Sequence, residues 1–296
     1  MDKNRLKTRW LPLAFMAAFL LIEPFVAISV GLVLGLLLFN FDNRHAIGKG
    51  SLVLFILLAL VFAQLHLIQS IFALAASASF IWLLRRNLFS SVTSPALVAC
   101  LISAGLIAVL LLVIGPELWQ GIESDTRSFM QETMSRNQEL DQQTLENLQT
   151  SARMMVLLLP GQFMLMMIAS IFVAVLLFRR FGQYDLPLRL GCSEFSCYWF
   201  EDNWVWVVIL SLVLLLVSHQ GWPGRIGANA LYVMGMLYLL RGIAVIFHFI
   251  TLQGGGLLLK LLVVAICFPP LCLIHLFFGL LDTWLDFRKN TAAAGK

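Results

Sequence analysis

Seven stretches of this chain are too long and too apolar to be folded away from water in a soluble domain. They are residues 10–39, 51–85, 95–114, 152–178, 204–218, 226–250 and 257–281. A helix that crosses a bilayer needs roughly 20 consecutive apolar residues. Over the 296 residues, 60% are hydrophobic and only 12% are charged. An ordinary soluble domain holds roughly 45–50% apolar and about 25% charged residues. The sequence therefore predicts an all-α, polytopic transmembrane helical bundle of about eight spans, seven to nine. The uncertainty in the count lies in the two N-terminal blocks. Glu23-Pro24 interrupts the first, and Gln64, His66 and Gln69 sit near the centre of the second, so each reads as two short helices or one kinked helix. A helix-break role for Gln64, His66 and Gln69 follows from that position.

Between the spans, residues 117–151 form a long hydrophilic segment. Met130, Met134, Leu140, Leu145 and Leu148 give it a weak helical period, which predicts a helical extramembrane arm leading into the next span. The chain then divides into an N-terminal membrane half (1–116), the acidic arm (117–151) and a C-terminal membrane half (152–296). Gly254-Gly255-Gly256 reads as a flexible link, and Pro269-Pro270 as a kink in the last span.

Lys and Arg collect on the cytoplasmic side of short loops. Lys3, Arg5, Lys7 and Arg9 head the chain, and Arg44, Lys49, Arg85, Arg86, Arg179 and Arg180 mark later loops. The arm carries Glu117, Glu123, Asp125, Glu132, Glu139, Asp141 and Glu146 against Arg127 and Arg136. This pattern places the N-terminus in the cytoplasm and the arm outside. The apolar run after the basic head exceeds a secretory h-region, so it reads as a retained anchor. Arg288, Lys289 and Lys296 at the other end disagree with simple alternation, so one segment, such as the short run at 204–218, would be re-entrant.

The candidate functional groups are the polar residues placed in apolar runs. An arginine inside a membrane helix costs from about 2.5 to more than 10 kcal/mol, so it needs a partner, a watery cavity or an interface. Arg241 and His248 lie seven residues apart, on one helical face. With His275 and Asp282 they are the residues to which a polar ligand would bind. The alternative is that Arg241 pairs with a carboxylate such as Asp282 or Glu23. Asp282 and Asp286, one turn apart, would either hold a divalent cation or pair the helix end with Arg288 and Lys289, and the second reading leaves no metal site. Small residues four apart, Ala14/Ala18 and Gly31/Gly35, offer faces for close helix packing or for docking a membrane partner. Cys100, Cys192, Cys197, Cys267 and Cys272 make no CxxC pair. There is no HExxH, GxSxG or GxxxxGK[ST] pattern. The sequence thus predicts no catalytic residue, no cofactor and no nucleic-acid partner.

The runs Leu239-Leu240-Arg241-Gly242-Ile243-Ala244-Val245-Ile246-Phe247-His248-Phe249, Phe268-Pro269-Pro270 and Gly279-Leu280-Leu281-Asp282-Thr283-Trp284-Leu285-Asp286-Phe287-Arg288-Lys289 carry a resemblance. They resemble the YybS-like family of bacterial integral membrane proteins, a domain of unknown function. Leu158-Leu159-Pro160 and the order of spans are also similar. The family is grouped with the S components of energy-coupling-factor vitamin transporters and with MreD. The resemblance implies an S-component-like core in a bacterial inner-membrane protein. Ala14 and Ala18 would correspond to the alanine face that docks a partner subunit. Arg241 stands where the family usually has a neutral residue. Two functions follow as expectations. The first is a non-enzymatic protein that binds or helps transport a small polar solute. The second is a structural or scaffold protein of the cell envelope, working through a membrane-protein partner or through copies of itself.

Overall fold

The computed structural model describes residues 24–41, 53, 56–57, 60, 67–114, 124, 128, 131–132, 142–181, 195–217, 221–256, 258–260, 262 and 272–288. Every regular element among the described residues is helical. Among the described residues, seven α-helices can be delimited, in chain order: α1 (Pro24–Phe41), α2 (Leu67–Arg86), α3 (Thr93–Ile114), α4 (Gln142–Phe181), α5 (Val205–Val217), α6 (Trp222–Leu252) and α7 (Cys272–Leu285). Two 3-10 turns, Phe195–Cys197 and Asp202–Trp204, precede α5. The chain forms two compact units, Met1–Leu188 and Arg189–Lys296.

In the first unit α1 packs against α2 and α4, and α3 packs against α2 and α4. Helix α1 is apolar all round, and Phe25, Ala27, Ile28, Val30, Leu32, Val33 and Leu37 are all buried. A helix with no polar face belongs in an interior, and α1 occupies it. Phe25 meets Phe163 of α4 edge-on, with ring centroids 5.6 Å apart. Gly31 and Gly35 are buried within this packing. Ala14, Ala18, Gln64 and His66 lie outside the described residues, and Gln69 is half-buried near the start of α2. Helix α2 ends at Asn87, whose φ of 52° is the left-handed conformation that asparagine tolerates at a helix end.

Helix α4 has 40 residues, a length of about 60 Å. Its apolar part, Met154–Arg179, is long and apolar enough to cross a membrane. The preceding helical turns from Gln142 carry the exposed polar residues Gln143, Asn147 and Thr150. The arm and the span are thus one continuous helix from Gln142 on. Leu67–Arg86 and Trp222–Leu252 also have the length and composition of spans. Shorter apolar helices cover Phe25–Phe41, Thr93–Val109, Asp202–Val217 and Cys272–Leu285.

Four of the buried serine hydroxyls in these helices are satisfied locally. The Oγ atoms of Ser77, Ser103, Ser170 and Ser211 donate to the carbonyls of Ala73, Ala99, Met166 and Val207, one turn back. An unpaired hydroxyl in an apolar interior is costly, and this bond removes the cost without a partner helix.

In the second unit α6 is the central element, with α5 and α7 packed on it. It starts at Trp222, four residues before the apolar run proper, because Gly221 is extended and Pro223 sits in the first turn. Its other end corrects the sequence reading of a flexible link. Gly254 has φ +73°, its N–H donates to the Thr251 carbonyl at 3.0 Å, and the Gly255 N–H donates to the Ile250 carbonyl at 2.9 Å. This is the paired-bond Schellman cap, which needs a left-handed residue.

Helices α6 and α7 cross backbone to backbone. A Cβ on Gly242 would lie 1.7 Å from the His275 carbonyl oxygen, and a Cβ on Gly279 would lie 1.9 Å from that of Tyr238. Each helix thus contributes one glycine and, one turn before it, the carbonyl that fills the space over the other's glycine. We expect Gly242→Ala or Gly279→Ala to destabilise the second unit by about 1–3 kcal/mol, the usual range for overpacking. Thermal unfolding in detergent measures this, and Gly105→Ala, whose Cβ would meet nothing within 4 Å, is the control.

Candidate functional site

The polar centre of the second unit is built around Arg241, in the middle of α6 and only 4% exposed. A guanidinium presents five N–H donors in a fixed plane and stays charged. Four of them are used on two other segments of chain. Nε donates to Asp282 Oδ2 at 2.9 Å, and Nη2 donates to the Asp282 main-chain carbonyl at 3.2 Å. Nη1 donates to Asp202 Oδ1 at 2.9 Å and to the Phe200 carbonyl at 3.3 Å. The face of the guanidinium lies over the Phe200 ring, 5.4 Å from its centroid.

Asp282 is fully buried in the last turn of α7, and its Oδ2 also accepts from Arg288 Nη2 at 2.6 Å. The chain makes that contact by reversing at Asp286, whose φ is 42° and whose N–H donates to the Asp282 carbonyl at 3.1 Å. Aspartate is among the few side chains that visit this left-handed region readily. Arg288 Nη1 donates onward to the Tyr198 carbonyl at 2.7 Å. The two arginines thus hold residues 198–202 from both sides. An aromatic row lies along the same segment: Phe247 meets Phe195, Phe195 stacks on Tyr198, Tyr198 tilts on Phe200, and Phe200 meets Tyr238 edge-on at 5.0 Å.

The charges balance, with Arg241 and Arg288 against Asp202 and Asp282. Their exposures differ, since the Asp202 side chain is 60% exposed and that of Asp282 is 0% exposed. Asp282 therefore sets the energetics, because a buried charge stripped of its partner costs far more than an exposed one. Asp282 Oδ1 is buried and has no hydrogen-bond partner among the described residues.

The structure thus brings together Arg241 and Asp282, as the pairing alternative of the sequence reading has it, and Arg288 joins them. Half-buried His248 lies within electrostatic range of Arg288 and Asp282. His275 is buried, and its main-chain carbonyl fills the space over Gly242. Glu23, the other carboxylate considered for Arg241, lies outside the described residues. Among the described residues no group of three or more His, Cys, Asp or Glu could hold a metal ion.

Sequence reasoning missed Asp202, Phe200 and Tyr198. Their signal was faint, an acidic residue and a row of aromatics just before a short apolar run. It also missed Gly242 and Gly279 as packing residues, although each stands beside or one turn from a buried charge.

A membrane-inserted helical protein with an internally neutralised charge centre is the class these features define. The chain matches the family described as Predicted membrane protein (DUF2232) over residues 11–283, and it belongs to that family. No curated protein and no solved structure matches it. The likeness to S components and to MreD therefore rests on the sequence resemblance alone.

Removing one member of the buried pair should be severe. Arg241→Met or Asp282→Asn is expected to cost about 3–5 kcal/mol, the range for breaking a buried ion pair. Asp202→Asn, at an exposed position, is expected to cost much less. Arg241→Lys should not rescue, since an ammonium lacks the planar fork that reaches Asp282 and Asp202 together. Thermal unfolding of each purified variant in detergent checks the order, and the Arg241→Met/Asp282→Asn double variant is expected to lose less than the two single losses combined.

Proposed function

We propose that this protein is a non-catalytic structural component of a bacterial inner membrane, working through protein–protein contacts, with its N-terminus in the cytoplasm. The observation that carries the reading is the engagement of Arg241 by groups of the protein itself. Four of its donors are spent on Asp282, Asp202 and the Phe200 carbonyl, so its charge staples three segments of chain instead of waiting for a solute. The surface offered to partners is the hydrophilic arm. Helix α4 exceeds a hydrocarbon layer of about 30 Å by roughly its own half-length, and the turns before Met154 present polar side chains to solvent. In this reading Gly31 and Gly35 serve internal packing.

A second reading keeps the S-component-like core and a small polar solute. One observation favours it: the buried Asp282 Oδ1 lacks a donor among the described residues, and a bound polar group would supply one. Native mass spectrometry of the purified full chain separates the two. The structural reading expects the bare protein mass, or protein complexes, with no small molecule retained. A stoichiometric small molecule that is retained by the wild type and lost in Arg241→Lys would overturn it. As a direct check on the arm, replacing Glu132 and Glu146 by Lys is expected to abolish co-purification of the partner while leaving thermal stability unchanged.

A further inference from the structure

The first unit has one strongly basic end, and its direction can be read from packing. Helices α3 and α4 touch where Cys100 Sγ lies 3.9 Å from the Met164 carbonyl. Buried positions fall in the first half of α3, including Ala96, Leu97, Ala99 and Cys100, and in the second half of the α4 span, including Met167, Ile171, Ala174 and Phe178. The exposed ends match as well, with Leu106 and Val109 late in α3 and Met154 and Met155 early in α4. An antiparallel pairing of α3 and α4 sets buried against buried and exposed against exposed, in keeping with the hydrophilic segment that joins them. The C-terminus of α4 is therefore at the same end as the start of α3, which follows α2 through the short link 87–92.

That end carries Arg85 and Arg86 from α2 and Arg179 from α4, all exposed. Residues 85–93 and 174–181 contain no acid. Trp82, 53% exposed, lies one turn inside, and the Arg86 guanidinium sits over its ring, 5.4 Å from the centroid. An indole at this depth belongs in the interfacial layer, just below the phosphates. The Arg86 guanidinium therefore sits beside the indole with Arg85 next to it in sequence, and an arginine's planar fork can take a phosphate through two parallel bonds.

We propose that this end of the first unit, with Arg85, Arg86, Arg179 and Trp82, is a binding face for anionic phospholipid headgroups. The phosphodiester is the recognised group, and Trp82 points to a lipid as its source, because an exposed indole one turn inside the arginines belongs in the interfacial layer of a bilayer. Each arginine near an anionic surface contributes roughly fivefold to binding.

The test is native mass spectrometry of the full chain in detergent, titrated with phosphatidylglycerol or phosphatidylcholine. Wild type is expected to retain phosphatidylglycerol in preference to phosphatidylcholine. The Arg85→Gln/Arg86→Gln/Arg179→Gln variant is expected to lose that retention by on the order of a hundredfold, with phosphatidylcholine adducts unchanged. Equal retention of the two lipids by the wild type, or undiminished phosphatidylglycerol in the triple variant, overturns the proposal. Displacement of the lipid by millimolar inorganic phosphate overturns the lipid as its source. If the triple variant does not fold, Arg86→Gln and Arg179→Gln are measured singly, each expected to lose roughly fivefold, and no loss in either counts against the site.

Discussion

A guanidinium in an apolar interior has to find acceptors for its N–H groups, and the second unit is arranged around that demand. Arg241 cannot neutralise itself by giving up a proton, so the chain must come to it. Asp282 arrives from α7 with both its carboxylate and its main-chain carbonyl, and residues 200–202 arrive from the segment before α5. The Asp282 carbonyl already accepts from the Asp286 N–H, and Arg241 Nη2 uses its second lone pair. Placing Asp282 in the last turn of α7 thus offers Arg241 two acceptors from one residue.

The hydrogen bonds of these buried groups are therefore of two kinds with different reach. The serines at 77, 103, 170 and 211 close their bonds within one helix and make no demand on the tertiary structure. Arg241 closes its bonds across sequence separations of 39 and 41 residues, so it fixes which segments meet. Local closure lets a helix carry hydroxyls anywhere along its length. Long-range closure permits essentially one arrangement, since a displaced Asp282 would leave two buried charges uncompensated.

The same distinction explains what could be read from the sequence. Helix positions and the membrane class follow from apolar run length, a local property, and both boundaries of α3 and the end of α4 fall within a few residues of the runs that announce them. The pairing of Arg241 with Asp282 was legible as one alternative, because few carboxylates lie in the C-terminal spans. Asp202 was not legible, since nothing local distinguishes an aspartate in a turn from a solvated one. The glycines at 254 and 255 suggested freedom, yet the bonds that bind them depend on a dihedral angle that periodicity does not carry. Gly242 and Gly279 were present in the family signature, but only the geometry shows that they face each other's helix.

That mutual contact limits how α7 can move on α6. Carbonyl oxygens of Tyr238 and His275 sit in the only space a side chain would otherwise fill. Sliding either helix along the other would carry an oxygen from a glycine onto a residue with a Cβ, so translation is blocked in both directions. Rotation about the contact is not. The pair works as a scissor with Gly242 and Gly279 at the rivet, and the salt-linked cluster at Arg241 and Asp282, one residue and three residues away, holds the blades at a single angle.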